Sequence, residues 1–289
     1  MKKNIMMIVN PISGGIDKSE ILTVTEKYAL DRNFKFISFE TSGTDDAFKI
    51  KALYDEYKPE RIIVAGGDGT IKLAAEALAN QDIIFGILSA GSANGLATDL
   101  GLPKNLDESL AVAFQDNFKA IDTILINGNK SLHLSDLGLN AQLIKNYQDS
   151  AIRGKLGYAM QAINTLIEDD QPFHANIKVN GSEIQCDARM IVIANSQKYG
   201  TGVVINPDGL MDDGFFELII LKNLDLLTLG KIITGNMPMD SNDVLIISTD
   251  KATIETNIPV NFQIDGEYCG LETKLDIAIS SRKIKIAIP

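Results

Sequence analysis

Along the first third of the chain, unbroken apolar runs alternate with stretches of helical spacing. Residues 4–9 read as a buried strand, ended by Asn10-Pro11 and a glycine turn at Gly14-Gly15. A helix is predicted over 18–30, a strand over 34–40 and a helix over 45–57, stopped by Pro59. A third strand at 61–65, a glycine turn and an alanine- and leucine-rich helix at 71–79 follow, then a fourth strand at 83–88 and another glycine turn and helix. This alternation predicts a parallel sheet covered on both faces.

Beyond about Ile121 the texture changes. Short β-rich runs are predicted at 120–126, 174–179, 188–194, 215–221, 243–249, 252–256, 260–264 and 283–288. Asn180-Gly181, Asp208-Gly209, Asp213-Gly214 and Asp265-Gly266 punctuate them as turns, a pattern that suits an antiparallel β-sandwich. One helix interrupts it, where Leu156, Ala159, Met160, Ile163, Leu166 and Ile167 share a face. The expected organisation is a nucleotide-binding α/β domain over 1–123 and a β-rich substrate or lid domain over 124–289. A return of the last strand toward the first domain is left open, and ligand is expected in a cleft between the two.

Composition narrows the function. The chain has 289 residues, 45% hydrophobic and 22% charged, a globular profile long enough for two domains. A net charge of −11 disfavours nucleic acid as a partner and broad adhesion to anionic membranes. Arg282, Lys283 and Lys285 form a local basic group that also reads as the solvated side of a strand. Cys186 and Cys269 give no disulfide framework and no CxxC spacing. The N-terminal apolar run is too short for a signal peptide, and no stretch has membrane-spanning length, so a soluble cytoplasmic protein is expected. His133 and His174 lie in strand-like surroundings without ligand spacing and read as structural.

Three glycine-bearing loops carry the first candidate chemistry: Asn10-Pro11-Ile12-Ser13-Gly14-Gly15, Gly66-Gly67-Asp68-Gly69-Thr70 and Ser89-Ala90-Gly91-Ser92-Ala93-Asn94-Gly95. Each directly follows a predicted strand. Glycine lets the main chain approach a ligand closely, and the N–H groups that open a helix favour a phosphate. A parallel sheet puts its ligand at the carboxyl ends of its strands, where the three loops converge. Each loop alone also suits a plain strand-to-helix turn, with Thr70 as cap in the second. No P-loop lysine motif occurs. In the β-rich half, Gln263-Ile264-Asp265-Gly266-Glu267 reads as a hairpin turn or as a placed carboxylate. The loop from Asn206 to Gly214 carries Asp208, Asp212 and Asp213, suited to a hard cation or to a simple turn.

These segments together resemble the diacylglycerol kinase catalytic-domain family, which includes soluble bacterial lipid kinases and the sphingosine and ceramide kinases. The match runs in order through NPISGG, VAGGDGT, SAGSANGLATDLGLP, KLGYAMQAI, INPDGLMDDGFFELIIL and QIDGEYCG. GGDGT alone is shared with NAD kinases and phosphofructokinases, whose α/β fold is therefore implied for the first domain. The DDG and DGE elements make the lipid-kinase resemblance more specific.

The resemblance implies ATP and Mg²⁺ as cofactors and phosphoryl transfer to a lipid hydroxyl, diacylglycerol-like or sphingoid. ATP would lie between the domains, contacted by Asn10, Pro11, Ser13, Gly14, Thr41, Gly66, Gly67, Asp68, Gly69, Thr70, Ser92, Asn94 and Glu267. Asp265 would be the catalytic base. Asp68 and Asp122 would hold a water-and-Mg²⁺ network, and Asp213 with the carbonyls of Leu210 and Phe215 a structural cation. The implied partner is a lipid at a membrane surface, and the assembly to test is a homodimer. Gly95 departs from the family, many of whose members have Asp there; Asp99, about one helical turn beyond, is the candidate substitute. Two other readings stay open: a kinase of a soluble acceptor such as NAD, and a non-catalytic nucleotide- or lipid-binding module.

Overall fold

A computed structural model describes residues 3–92, 94–139, 141, 172–198, 204–222 and 243–289. The helix predicted over 156–167 lies outside the described residues. The chain forms two compact units, one of residues 1–121 with 281–289 and one of residues 122–280. Strands are numbered β1 to β16 in chain order.

The first unit alternates β1 (Asn4–Val9), α1 (Ser19–Asp31), β2 (Lys35–Glu40), α2 (Asp46–Tyr57), β3 (Arg61–Gly66), α3 (Asp68–Ala77) and β4 (Ile84–Ser89). Two further helices, α4 (Gly95–Asp99) and α5 (Leu106–Ala113), lead to β5 (Phe118–Ile121). The C-terminal strand β16 (Ile284–Ala287) completes a six-stranded sheet of order β2-β1-β3-β4-β16-β5. All neighbours pair parallel except β16 with β5, an antiparallel edge.

The apolar runs of β1 and β3 follow from burial on both faces. Alternate residues of these strands, Ile5, Met7, Val9, Ile63 and Ala65, meet Leu110 and Ala113 of α5 and the flank of α1. Their neighbours Met6, Ile8, Ile62 and Val64 point to the other face and are equally buried. Each such side chain contributes about 1.5–3 kcal/mol. Asn105 caps α5 by accepting from the N–H groups of Asp107 (2.9 Å) and Glu108 (3.3 Å). At the other end of α5, the Arg61 guanidinium donates to the carbonyl of Ala113 (3.2 Å) and to Asp116 (2.7 Å). Its charge there complements the helix dipole.

The second unit is an antiparallel sandwich. Its strands are β6 (Ile124–Ile126), β7 (Asn129–Ser131), β8 (Leu134–Gly138), β9 (Phe173–Val179), β10 (Ser182–Ala188), β11 (Met190–Ala194), β12 (Phe216–Leu221), β13 (Val244–Thr249), β14 (Lys251–Ile264) and β15 (Glu267–Ile279). The path runs β13-β12-β11-β8-β14-β15-β6-β7, with β9 between β10 and β14. β14 joins the layers: residues 252–256 pair with β9, and after irregularities in its pairing with β15, residues 262–264 pair with β8. Phe216, Leu218 and Ile220 of β12 meet Ile177, Ile254 and Leu275 in the main core. Ile219 and Leu221 turn to a second cluster with Met190 and Val192.

Two boundaries and four strands differ from the sequence expectation. The run 120–126 is two strands in two sheets, because the chain leaves the first sheet after Ile121 and Asp122 turns its N–H to the carbonyl of Met211 (2.6 Å). The runs at 252–256 and 260–264 are one long strand. β7, β8, β10 and β15 were not expected at all. Among the described residues, no helix is long and apolar enough to cross a membrane.

The contact between α5 and β4 depends on a missing side chain. A Cβ at Gly86 would lie 2.6 Å from the Cβ and 2.7 Å from the carbonyl oxygen of Ala113. Gly86→Val is expected to destabilise the protein by about 1–3 kcal/mol through overpacking against main chain, read as a lower urea midpoint at unchanged slope.

Candidate active site

In the first unit, hydrogen bonds tie the loops that follow β1, β2, β3 and β4. Asn10 donates its N–H to the carbonyl of Ala65 (3.0 Å) and its amide to Thr70 Oγ1 (3.2 Å). The Ser13 hydroxyl lies 3.1 Å from the carbonyls of both Asn10 and Ala90. Thr41 N–H bonds to Val9, and Ala90 N–H bonds to Gly66. Pro11, Gly69 and Ser92 are exposed. Asn10, Ser13, Thr41, Gly66, Gly67, Asp68, Thr70 and Asn94 are at least partly buried.

Main chain meets main chain where these loops touch. A Cβ at Gly91 would lie 2.4 Å from Gly67 Cα, and one at Gly14 would lie 2.6 Å from the Ala90 oxygen. Gly14 also has φ of 63°, a left-handed conformation that favours glycine. α3 starts at Asp68, and its Thr70 and Ile71 N–H groups already bond to Gly67. The N–H groups ahead of them open a ten-residue helix, where the dipole favours an anion.

Asp68 bridges two loops. One of its carboxylate oxygens accepts from Gly95 N–H (2.8 Å) and the other from Leu96 N–H (3.1 Å), fixing the start of α4. Asn94 closes the preceding turn by pairing with both the N–H (2.8 Å) and the carbonyl (2.9 Å) of Gly91. Asp99 sits at the end of α4, with one carboxylate oxygen enclosed.

Two residues that sequence reasoning passed over shape these loops. Asp46, the first residue of α2, accepts from Ser42 N–H (3.0 Å) and Gly43 N–H (2.7 Å) and so sets the course of the chain after Thr41. Burial acts to raise its pKa, but the hydrogen bonds from Ser42 and Gly43 outweigh it and hold the carboxyl below its ordinary value. A helix-opening Asp preceded by Ser-Gly-Thr-Asp was the available signal. Lys18 is buried, and its ammonium donates to the carbonyls of Ser13 (2.6 Å) and Ile16 (2.7 Å).

In the second unit, Asp265 and Gly266 are the two central residues of the β14–β15 hairpin, with φ of 50° and 86°. Two positive φ values mark a type I′ turn, for which Asp-Gly is suited. The hairpin turns the Asp265 carboxylate onto the chain before β8. It accepts from Ser131 Oγ, Leu132 N–H and His133 N–H, each at 2.9 Å. Ser135 donates in turn to Ser131 (2.9 Å), and Gln263 bonds to the buried Asp136 opposite it on β8. Turn and placed carboxylate are thus both present. Glu267 is exposed at the start of β15.

Asp122 is almost fully buried and anchors the loop at 211–214. Its carboxylate accepts from Gly214 N–H (2.9 Å), and its carbonyl accepts from Asn195 (2.8 Å). Asp213, Leu210 and Phe215 are exposed on that loop, and Asp213 accepts from Phe215 N–H (3.0 Å). Asn206 braces the loop from behind through Glu217 (2.7 Å). The donors gathered here are all oxygens, which fits a hard cation. Among the described residues no three His, Cys, Asp or Glu side chains converge, so a cation would rest largely on main-chain carbonyls and water.

Residues 4–126 match the family model of the diacylglycerol kinase catalytic domain, and residues 135–285 match that of the YegS C-terminal NAD kinase beta sandwich-like domain. A relative from Synechocystis sp. (strain ATCC 27184 / PCC 6803 / Kazusa), uncharacterized protein sll0036, is 28% identical over 98% of this chain and 70% of its own length. The protein named probable lipid kinase YegS in Escherichia coli (strain SMS-3-5 / SECEC) is 29% identical over 71% of each chain. Two crystal structures from Bacillus anthracis str. Sterne have the same fold, each covering 99% of this chain and 97% of its own. One is 23% identical with a TM-score of 0.81; the other, described as a diacylglycerol kinase, is 22% identical with a TM-score of 0.76.

Gly91→Ala is expected to force the third loop away from Gly67, lowering stability by about 1–3 kcal/mol, read as a lower urea midpoint at unchanged slope. For Asp46, a lowered folded pKa means that its stabilisation is complete above the ordinary Asp value of 3.8 and is lost as pH falls through the folded value. Asp46→Asn should therefore be less stable than wild type at pH 7, with the gap closing below pH 3.8 in urea titrations.

Proposed function

Because the chain belongs to the diacylglycerol kinase catalytic-domain family, a family of ATP-dependent kinases, we propose that it transfers the γ-phosphoryl group of ATP to a lipid hydroxyl. The observation that supports this most is the packing of three glycine loops, main chain against main chain, at the carboxyl ends of β1, β3 and β4. At these glycines no side chain keeps a triphosphate away from the main chain, and the start of α3 presents N–H groups to it. Thr41, Ser92, Asn94 and Glu267 complete the nucleotide contacts in this reading.

Phosphoryl transfer asks mainly for alignment and for neutralisation of charge. In this reading Asp68 and Asp122 would serve a Mg²⁺ network that would offset the charge of the phosphates, and Asp213 with the carbonyls of Leu210 and Phe215 would hold a structural cation. Asp265 accepts the proton of the lipid hydroxyl as its oxygen bonds to the γ-phosphorus. The bond from that phosphorus to the bridging oxygen breaks, and ADP leaves with the electron pair. The three donors that hold Asp265 keep its carboxylate in one orientation, as a general base requires. The lipid is reached at a membrane surface from the cytoplasm, without help from bulk charge, since the net charge is −11.

The reading is tested by incubating the pure protein with radiolabelled ATP and vesicles containing diacylglycerol or sphingoid bases, alongside NAD. Label in the lipid extract is expected; label on NAD alone, or ATP binding without turnover on any acceptor, would overturn it. Asp265→Asn should lower turnover about 10²–10⁴-fold while the hairpin survives, because Asn-Gly also suits a type I′ turn. Near-normal activity in that variant would remove Asp265 from the base role. Asp68→Asn should also lose most turnover, with a small loss of stability where its amide meets an N–H of α4.

A further inference from the structure

Lysine is almost never fully buried unless paired, yet only 4% of Lys18 is exposed. It directly precedes α1, where a positive charge opposes the helix dipole, so helix stability does not account for its place. Its two acceptors do. The ammonium donates to the carbonyls of Ser13 and Ile16, at either end of the stretch that carries Gly14 and Gly15.

The peptide bond between Ser13 and Gly14 is trans, so its carbonyl and its N–H point in opposite directions. Drawing the Ser13 oxygen inward onto Lys18 turns the Gly14 N–H outward. Gly14 is exposed and lies against the Ala90 carbonyl of the third loop. The Ser13 hydroxyl reaches the same Ala90 oxygen, so the clamp on Ser13 also sets how the first loop meets the third. Both acceptors are neutral, and the positive charge stays behind the loop. Burial holds the lysine pKa below its ordinary value, with Asp17 pulling the other way.

We infer that Lys18 is a positioning residue for the phosphate groups of a nucleoside triphosphate, acting by fixing the Ser13–Gly14 peptide with its N–H toward the anion. The inference rests on the kinase reading and adds to it a residue that does not itself touch the ligand.

Lys18→Met keeps the apolar stem and removes the donor. It should weaken ATP and ADP binding about tenfold or more and leave adenosine binding unchanged, with the fold checked by circular dichroism. Unchanged ATP affinity in the variant, or equal losses for ATP and adenosine, would overturn the inference while leaving the kinase reading intact. Absence of ATP binding by the wild-type chain would overturn both. Should the variant fail to fold, ¹⁵N-labelled wild type decides: the Gly14 amide resonance must shift and exchange more slowly on adding ATP but not adenosine, and an unmoved resonance would sink the assignment.

Discussion

The close approach of bare main chain at the ends of β1, β3 and β4 is the constraint on which the first unit is organised. Gly67 and Gly91 stand so near that neither tolerates a Cβ without displacement, and Gly14 stands almost as near to Ala90. Loops held this close are linked by direct hydrogen bonds, Asn10 to Ala65 and Ala90 to Gly66, rather than through side-chain packing. The central strands supply the rigidity that such a contact needs, since Ile5 to Ile8 and Ile62 to Ala65 are wholly enclosed. A sheet with these strands less buried would let the loops separate.

The second unit solves a different problem, the placement of one carboxylate, by different means. A type I′ hairpin fixes the backbone of Asp265, and three donors from residues 131–133 fix its side chain. Behind these, the Ser135–Ser131 contact and the Gln263–Asp136 pair form a buried polar network. Polar groups in such surroundings are stable only when their partners are present, so the network ties the orientation of Asp265 to the register of β14 against β8. β14 is also the strand that joins the two layers, which links the hairpin to the whole sandwich.

How legible all this was in the sequence depended on burial. Strands enclosed on both faces, such as β1 and β3, announce themselves as apolar runs, and the α/β architecture followed from their alternation with helices. β10 and β15 were silent because one face of each meets solvent: Glu267, Cys269, Glu272, Lys274 and Asp276 break β15 into what reads as a polar stretch. The split of 120–126 between two sheets was hidden because both pieces are apolar, and only the buried bonds of Asp122 mark the join. Of the site, the glycine loops and the acidic turns were visible as motifs. Lys18 was not, since its role comes from carbonyl partners that exist only once the loop has folded, and a lysine beside a turn reads as a surface residue.

The acids singled out for chemistry each carry structural bonds as well: Asp68 opens α4, Asp122 holds the loop before β12, and Asp265 closes its hairpin onto the chain before β8. A carboxylate that already accepts several N–H groups is kept in one rotamer without further expense of conformational freedom, which is the condition for acting on a substrate without reorganisation. The same bonds mean that removing an acid disturbs its loop along with the chemistry, because each donor left behind in a buried place loses its partner. Amide replacements separate the two effects better than alanine does. They retain one acceptor oxygen and the side-chain shape, so that the lost charge and basicity, rather than a collapsed loop, dominate what is measured.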